Sequence, residues 1–561
     1  PMCQEDTPII GDRAMLQNRF DTLYRAYHEL QIQLRTSIPA IIGMVINKIP
    51  WLLSLHFAGN LGSQELSAAA LATTLCNVTG MSLSVGLSSA LSTLTGQSRG
   101  RTKKCQTLEN PEPKTTEAIE WEGEPLLMTQ YGQSIEQYGT EESNVNCTVD
   151  EKFIPNGPMI YLTRGIFIQL LFVIPVGLWW INGIQSLLIT LGQEHQRAIM
   201  TARYLRILAP GLWGYSINWT LTSWLQAIEM ADVPAYAAAI AAMVHLPMNL
   251  LFIHVLKWGY LGVGAATSVS QTIQPLYIVL YIFLTNHGRK RVLEHILPSS
   301  MNRNHLMDRR EIRIAMSSFS GILQYLSLAI PGIVIISEWW ASELCIFLSG
   351  TLRPYPALAL DAMTIYQSIN TACFMLPVGC SISGTTRVGN SLGAGDELGA
   401  HMAANVAVGS AAILSVIVGC LLFLTPHTLF SSLFSPDHAV IEEASRLIPL
   451  LSIYVIGDGI QSALNGVIKG CGRQFIIMPI VVIAYWIIGV PLAYYFTFIN
   501  HNGFMCNDSQ FCGVSGLVSG LTIGTWVHMI LLAMVVVFTT NWKEEALKAH
   551  KRVSKEVKLP N

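Results

Sequence analysis

The chain has 561 residues, 51% hydrophobic and 12% charged, and its 34 Lys/Arg against 36 Asp/Glu leave a net charge of −2. A soluble domain carries about 25% charged residues, so a soluble globular protein is excluded. The near-neutral balance gives no basic footprint for nucleic acid. What remains is an all-α integral membrane protein.

From the N-terminus, residues 1–35 are polar and mixed, with no apolar h-region, so no cleavable signal is expected. Twelve apolar segments follow, each long enough to cross a bilayer: 36–57, 67–91, 158–182, 203–227, 235–256, 261–285, 322–349, 357–382, 400–424, 444–468, 474–499 and 514–538. They divide into an N-lobe (36–285, spans 1–6), a linker (286–321) and a C-lobe (322–538, spans 7–12), with a tail at 539–561. Basic residues orient the spans. Arg13, Arg19, Arg25 and Arg35 precede span 1. Arg289, Lys290, Arg291, Arg303, Arg309, Arg310 and Arg313 fill the linker. Lys543, Lys548, Lys551, Arg552, Lys555 and Lys558 follow span 12. With twelve spans all three clusters fall on one side, so both termini and the linker are expected in the cytoplasm. The membrane expected is the plasma membrane or an endosomal or lysosomal one.

Between spans 2 and 3, residues 101–157 carry eleven acids against five Lys/Arg. With no periodicity and few aliphatics, they read as a disordered cytoplasmic insert. Within it, Glu122-Gly123-Glu124-Pro125-Leu126-Leu127 has the form of an acidic dileucine signal, whose partner would be a sorting adaptor.

The two halves repeat. GLSSALSTLTGQSRG (86–100) and GCSISGTTRVGNSLG (379–393) share Gly86/Gly379, Ser88/Ser381, Thr93/Thr386, Gly96/Gly389, Ser98/Ser391 and Gly100/Gly393 at an offset of 293. In spans 4 and 10, Leu208/Leu447, Pro210/Pro449, Tyr215/Tyr454, Ile217/Ile456 and Leu225/Leu464 coincide at an offset of 239. The acidic insert accounts for the difference. Two pseudo-symmetric six-helix lobes with a site where they meet is a transporter architecture. The Gly/Ser/Thr faces of spans 2 and 8 are expected to serve close helix packing.

Several strings carry a family resemblance. GNLGSQELSAAALA (59–72), TGQ (95–97), RVGNSLGAGD (387–396), Glu338-Trp339-Trp340-Ala341-Ser342-Glu343 and GVIKGCGRQ (466–474) stand in the order and spacing of the multidrug and toxic compound extrusion (MATE) transporters. The chain resembles their eukaryotic branch over spans 1 to 12. The resemblance implies two lobes around a central cavity. It also implies rocker-switch export of organic, usually cationic or amphipathic compounds in exchange for H⁺, or Na⁺ in some members.

The residues themselves point the same way. A carboxylate inside a bilayer is a functional candidate. Desolvation generally favours its protonated form, so a proton and a cationic substrate compete for it. Glu338 in span 7 is the expected proton/cation site, with Glu343 supporting it toward the outer mouth. Five residues turn about 140° at ~100° per residue, so the two do not share a face. Asp458 in span 10 matches the family's acid position there; its repeat counterpart is Trp219, which confines that acid to the second lobe. Trp339, Trp340, Asn47, Tyr454 and His245 are cavity candidates, the tryptophans as stacking surfaces for aromatic cations. For His245, with Asn249, helix–helix hydrogen bonding is the favoured role.

Two positions depart from the family pattern. Lys48 stands mid-span 1, where relatives carry an uncharged residue. It either pairs with an acid or snorkels, or faces the cavity and disfavours cationic substrates. Ser92 stands where relatives often carry an acid. Pro39, Pro175, Pro210, Pro331, Pro377, Pro449 and Pro491 interrupt spans.

Eleven cysteines show no metal-ligand spacing. Cys506 and Cys512 flank Asn507-Asp508-Ser509 before span 12, where a short disulfide and a glycan at Asn507 are expected. No HExxH, nucleophile elbow, Walker lysine motif or CxxC pair is present, and GAGDELG (393–399) lacks the dinucleotide-loop spacing. Neither an enzyme nor a cofactor is expected. Transport would draw on an ion gradient, H⁺ or alternatively Na⁺, and the partners would be a small organic substrate and the bilayer. Two other functions fit the pattern. One is a lipid-linked precursor flippase, which needs a cationic cavity hinted at by Lys48. The other is a membrane receptor or scaffold that has lost transport.

Overall fold

The computed structural model describes residues 8–109, 157–190, 194–297, 306, 308–435, 437–506, 509 and 511–557. The dileucine motif and Asn507 lie outside the described residues. Ten helices are long and apolar enough to cross a membrane. They are span 1 (Asp21–Leu61), span 2 (Ser67–Lys104), span 3 (Gly157–Asn182), span 5 (Asp232–Val255), span 6 (Tyr260–Leu284), span 7 (Phe319–Ser349), span 9 (Glu397–Leu424), span 10 (His438–Cys471), span 11 (Gln474–Ile499) and span 12 (Gly513–Thr539). Span 4 (His195–Ala227) and span 8 (Pro356–Gly393) complete the twelve. Arg203, Arg206 and Asn218 in one, and Asp361, Gln367 and Asn370 in the other, dilute their hydropathy. Their length and many buried residues place them in the bundle all the same.

The main apolar core of the C-lobe is drawn from spans 7 to 12, with two smaller cores beside it. The N-lobe has two cores. The lobe boundary passes through span 7. Tyr325, Leu328 and Ala329, from its first half, belong to an N-lobe core. Ala341 and Cys345, from its second half, belong to the C-lobe core. The helix breaks between these allegiances, at Ile336. There the turn tightens, with Trp339 N–H donating to the Ile336 carbonyl at 3.0 Å.

The segments expected as tails are helical. Span 1 continues a helix that begins at Pro8, because Glu29 and Gln33 are anchored on the C-lobe. Gln33 Nε2 donates to the Ala403 carbonyl at 2.9 Å. An amphipathic helix, Trp542–Val557, follows span 12 and buries Ala546, Ala549 and Val553. Cys506 and Cys512 are disulfide-bonded.

The repeated motifs meet at the end of the molecule that carries these basic segments, called here the basic end. A Cβ on Gly100 would collide with the Asn390 carbonyl, and one on Gly393 with the Gln97 carbonyl. Gln97 and Asn390 are themselves 293 apart, so the two contacts are related by the repeat. Only glycine lets the two backbones approach so closely. The expected packing role of the small residues in spans 2 and 8 is what these contacts display.

Candidate substrate and coupling site

Glu338 lies in the first turn of the half-helix that follows the break in span 7, where the helix dipole favours a negative charge. Its side chain is 14% exposed. Gln461 Nε2 of span 10 donates to Glu338 Oε2 at 3.0 Å. The Tyr485 hydroxyl of span 11 donates to Gln461 Oε1 at 3.2 Å and lies 3.0 Å from Thr525 Oγ1 of span 12. His528 of span 12 stands behind, its Nδ1 3.5 Å from Glu338 Oε2. Trp486 Nε1 donates to Ser337 Oγ at 3.1 Å, fixing the residue before the acid. Four spans thus converge on one carboxylate.

Asp458 is buried one helical turn before Gln461. It lines a small cavity with Cys373, Phe374, Pro377 and Ser415. Pro377 has no N–H for the Cys373 carbonyl one turn back. Ser415 Oγ, Tyr366 Oη and Asn370 Oδ1, from spans 9 and 8, are buried without hydrogen-bond partners among the described residues. Tyr454, one turn before Asp458, packs edge-on against Tyr366, ring centroids 6.4 Å apart. The C-lobe interior is therefore rich in oxygens with unused bonding capacity, next to two acids that act on one another.

The other expected residues separate from this cluster. Glu343 is half-buried and is coupled electrostatically to Lys48 across the seam. Lys48 and Asn47 are exposed. The Lys48 ammonium sits 6.0 Å from the Trp51 ring centroid and makes no direct ion pair with any of the three acids. Trp340 Nε1 donates to Ser82 Oγ of span 2 at 3.2 Å, across the lobes. Trp339 is exposed. His245 is fully buried and uses both ring nitrogens, with Ser54 Oγ at 3.0 Å and Ser270 Oγ at 2.7 Å. These bonds join spans 1, 5 and 6. Ser92 Oγ donates to the Ser89 carbonyl of its own helix at 2.9 Å.

Beyond the site, toward the basic end, the lobes are sealed. Thr93 Oγ1 of span 2 donates to the Lys469 carbonyl at 2.7 Å, and Gln97 Nε2 to the Gly470 carbonyl at 3.0 Å. Arg552 of the C-terminal helix donates to the Cys471 carbonyl at 2.7 Å. The Lys469 carbonyl also accepts the Gly472 N–H at 2.9 Å, while the Gly470 and Cys471 carbonyls, in the last turn of span 10, are met by donors from outside their helix. The repeat mate of Thr93, Thr386 of span 8, donates to the Gln226 carbonyl near the end of span 4 at 3.2 Å. Each lobe therefore caps a helix of the other. Around the caps runs an ion-pair chain. Arg99 meets Glu229 at 2.9 Å, Glu229 meets Arg387 at 3.2 Å, and Arg387 meets Glu29 at 2.7 Å. Asn390 Nδ2 adds a bond to Glu229 at 3.0 Å. Among the described residues, no cross-lobe hydrogen bond is found past Trp340 and Ser82 toward the opposite end.

Comparison with known proteins agrees with this architecture. The MatE family profile matches residues 39–107, 155–251 and 332–495, more than half of the chain. The chain belongs to the MATE family. Protein DETOXIFICATION 14 of Arabidopsis thaliana is 28% identical over 547 residues, covering 97% of this chain and 94% of that one. Protein DETOXIFICATION 36 of the same plant is 26% identical over 526 residues, covering 94% and 88%. The crystal structure of the eukaryotic MATE transporter AtDTX14 superposes with a TM-score of 0.73 at 26% identity, over 94% of this chain and all of that one. A MOP superfamily transporter from Pyrococcus furiosus shares the fold, with a TM-score of 0.65 at 15% identity. This MATE protein is thus a multi-pass membrane transporter and not an enzyme.

Sequence reading found Glu338, Glu343 and Asp458 but missed His528, Gln461 and Tyr485. For His528 a signal existed: an ionisable residue in the apolar run GLTIGTWVHMILLAM is a candidate on the same ground as the acids. Gln461 and Tyr485 carry no such mark.

Proposed function

We propose that this MATE transporter exports organic cations in exchange for protons, with Glu338 as the carboxylate that binds either a proton or the cation. One observation carries the reading. Glu338 stands at the break of span 7, where the helix passes from one lobe's core to the other's, so a movement between lobes changes its surroundings directly. A group that holds a cation when charged and releases it on protonation couples the two flows. Asp458 supplies a second carboxylate nearby, and Glu343 a third toward the opposite end, its charge opposed by Lys48. The relatives' names, DETOXIFICATION, are in keeping with export of foreign compounds. The positive-inside rule puts the basic end in the cytoplasm, which makes the seal described above the inner gate and the present state closed to the cytoplasm.

Uptake of a fluorescent organic cation into proteoliposomes under an imposed pH gradient tests this, wild type beside Glu338→Gln. Uptake driven by the pH gradient and abolished in the variant is the expected result. Uptake that follows a Na⁺ gradient instead, or persists in Glu338→Gln, overturns the proton assignment.

A further inference from the structure

His528 is completely buried, and neither ring nitrogen has a hydrogen-bond partner among the described residues. Whichever tautomer the ring adopts, one N–H and one lone pair stay unpaired. Proteins rarely leave such groups in their interior, and each one calls for an explanation. Here Nδ1 points at Glu338 Oε2 from 3.5 Å, beyond good hydrogen-bond length by about half an ångström. The ring is held edge-on against Tyr485, centroids 5.6 Å apart and planes at 82°. Tyr485 is tied to Gln461 and Thr525. The network that orients Glu338 therefore also aims the imidazole.

The helices packed on span 12 bring specific charged and titratable groups toward this ring. Span 7 brings Glu338, and span 10 brings Lys469 with Asp458 beyond it. Span 11 brings Tyr485, and span 8 brings Tyr366 beside Asp458. The Lys469 ammonium acts on both Glu338 and His528. In its neutral form the imidazole keeps one ring nitrogen with a free lone pair that can accept a hydrogen bond.

Resting on the reading of Glu338 as the proton-binding carboxylate, we propose that His528 is a positioning residue of the coupling site. Its ring nitrogen accepts the O–H of protonated Glu338 and holds the proton there. The proton comes from water onto a carboxylate oxygen and leaves by the same route; no other bond forms or breaks. When it leaves, the bond to His528 is lost and Gln461 remains as the donor to the carboxylate. His528 thus favours the protonated state alone and sets the pH at which the site exchanges its proton for a cation.

The test does not depend on knowing the substrate. Infrared difference spectra of the purified full-length protein, titrated from about pH 4 to 10, follow the carboxyl stretch of protonated Glu338, identified by its loss in Glu338→Gln. His528→Phe keeps a flat ring and removes the acceptor. Its midpoint is expected to move to lower pH by about half to one unit, the size of one lost hydrogen bond, with the band at higher frequency as the bonded carboxyl becomes free. His528→Asn, which restores an acceptor and guards against a folding defect in the first variant, is expected to recover part of both shifts. An unchanged midpoint and frequency in His528→Phe overturns the proposal, as does a Glu338 band that never titrates. If the shifts occur but proteoliposomes show no uptake driven by a pH gradient, the pair stands and the antiport reading falls.

Discussion

Glu338 and Glu343 are five residues apart, and the helix turns them to different partners. Glu338 faces Gln461 and His528 inside the C-lobe, whereas Glu343 is coupled to Lys48 of span 1. The helical angle already required this separation; which acid meets which partner depended on span 7 crossing the lobe boundary. On the proposed reading Lys48 opposes cations by offsetting the Glu343 charge, so Lys48→Met should tighten binding of a cationic substrate by about twofold to fivefold, the effect of a solvent-screened charge. The gain should vanish in a Glu343→Gln background. A double-mutant cycle of equilibrium binding checks this, and additive effects would separate the two residues. His245 and Asn249 were legible as buried polar residues, but the helix-joining contacts of His245 came only with the positions of Ser54 and Ser270, and Asn249 bonds the His245 carbonyl of its own helix.

At the scale of the helix, the caps decide the behaviour of the seal. Thr93 and Thr386 occupy equivalent places in the repeat and cap spans 10 and 4 of the opposite lobes. Cys471, buried at this seam, is a native reporter of opening. Thr93→Val removes two cross-lobe hydrogen bonds, the one to the Lys469 carbonyl and the one accepted from Gln474 Nε2 at 2.8 Å, together worth about 2 kcal/mol, and should speed maleimide labelling of Cys471 about thirtyfold at fixed pH, read by peptide mass spectrometry. Span 4 ends with Glu229 at φ 62°. The Glu229 and Met230 N–H groups donate to the Gln226 and Leu225 carbonyls at 3.0 and 2.8 Å. This is the left-handed helix stop that usually falls to glycine, and Gly472 fills it at the end of span 10. A carboxylate tolerated there is held by Arg99 and Arg387. Glu229→Gly should therefore leave thermal stability near wild type, because it relieves the backbone, while raising Cys471 labelling. A loss of stability comparable to that of Glu229→Gln would show that the ion pair, not the backbone, dominates.

For the whole molecule, the ion-pair chain from Arg99 to Glu29 closes the seam over residues far apart in sequence. Burial alone would raise the Glu229 carboxyl, but Arg99, with Arg387 and Lys103, holds it at about 2 against an ordinary 4.5. A lowered folded-state pKa gives stabilisation that is complete above the ordinary value and is lost only as pH falls from there toward 2. The Glu229 ion pairs should therefore not make the seal respond to pH between 5 and 8. Spin labels at Lys290→Cys and Leu398→Cys should report the same distance distribution at both limits. Arg387→Ala should lengthen it at either pH. A wild-type distance that changes within that window would assign pH sensing to the seal instead of to the C-lobe acids.

Hydropathy alone determined ten of the twelve spans, because a bilayer demands apolar runs of fixed length whatever surrounds them, and burial in the bundle decided spans 4 and 8. The repeat alone determined two lobes, because equal motifs in equal order build equal units. Charge in an apolar run marked Glu338, Glu343, Asp458 and Lys48, because its burial is costly wherever the chain goes. Only the tertiary structure decided that span 7 belongs to both lobes, that the end segments are helices anchored across the seam, and that Glu29, Arg99, Glu229 and Arg387 form one chain. Only it placed His528 behind Glu338. Such contacts join residues hundreds of positions apart, and they depend on helix rotation and crossing, which periodicity leaves free and packing fixes.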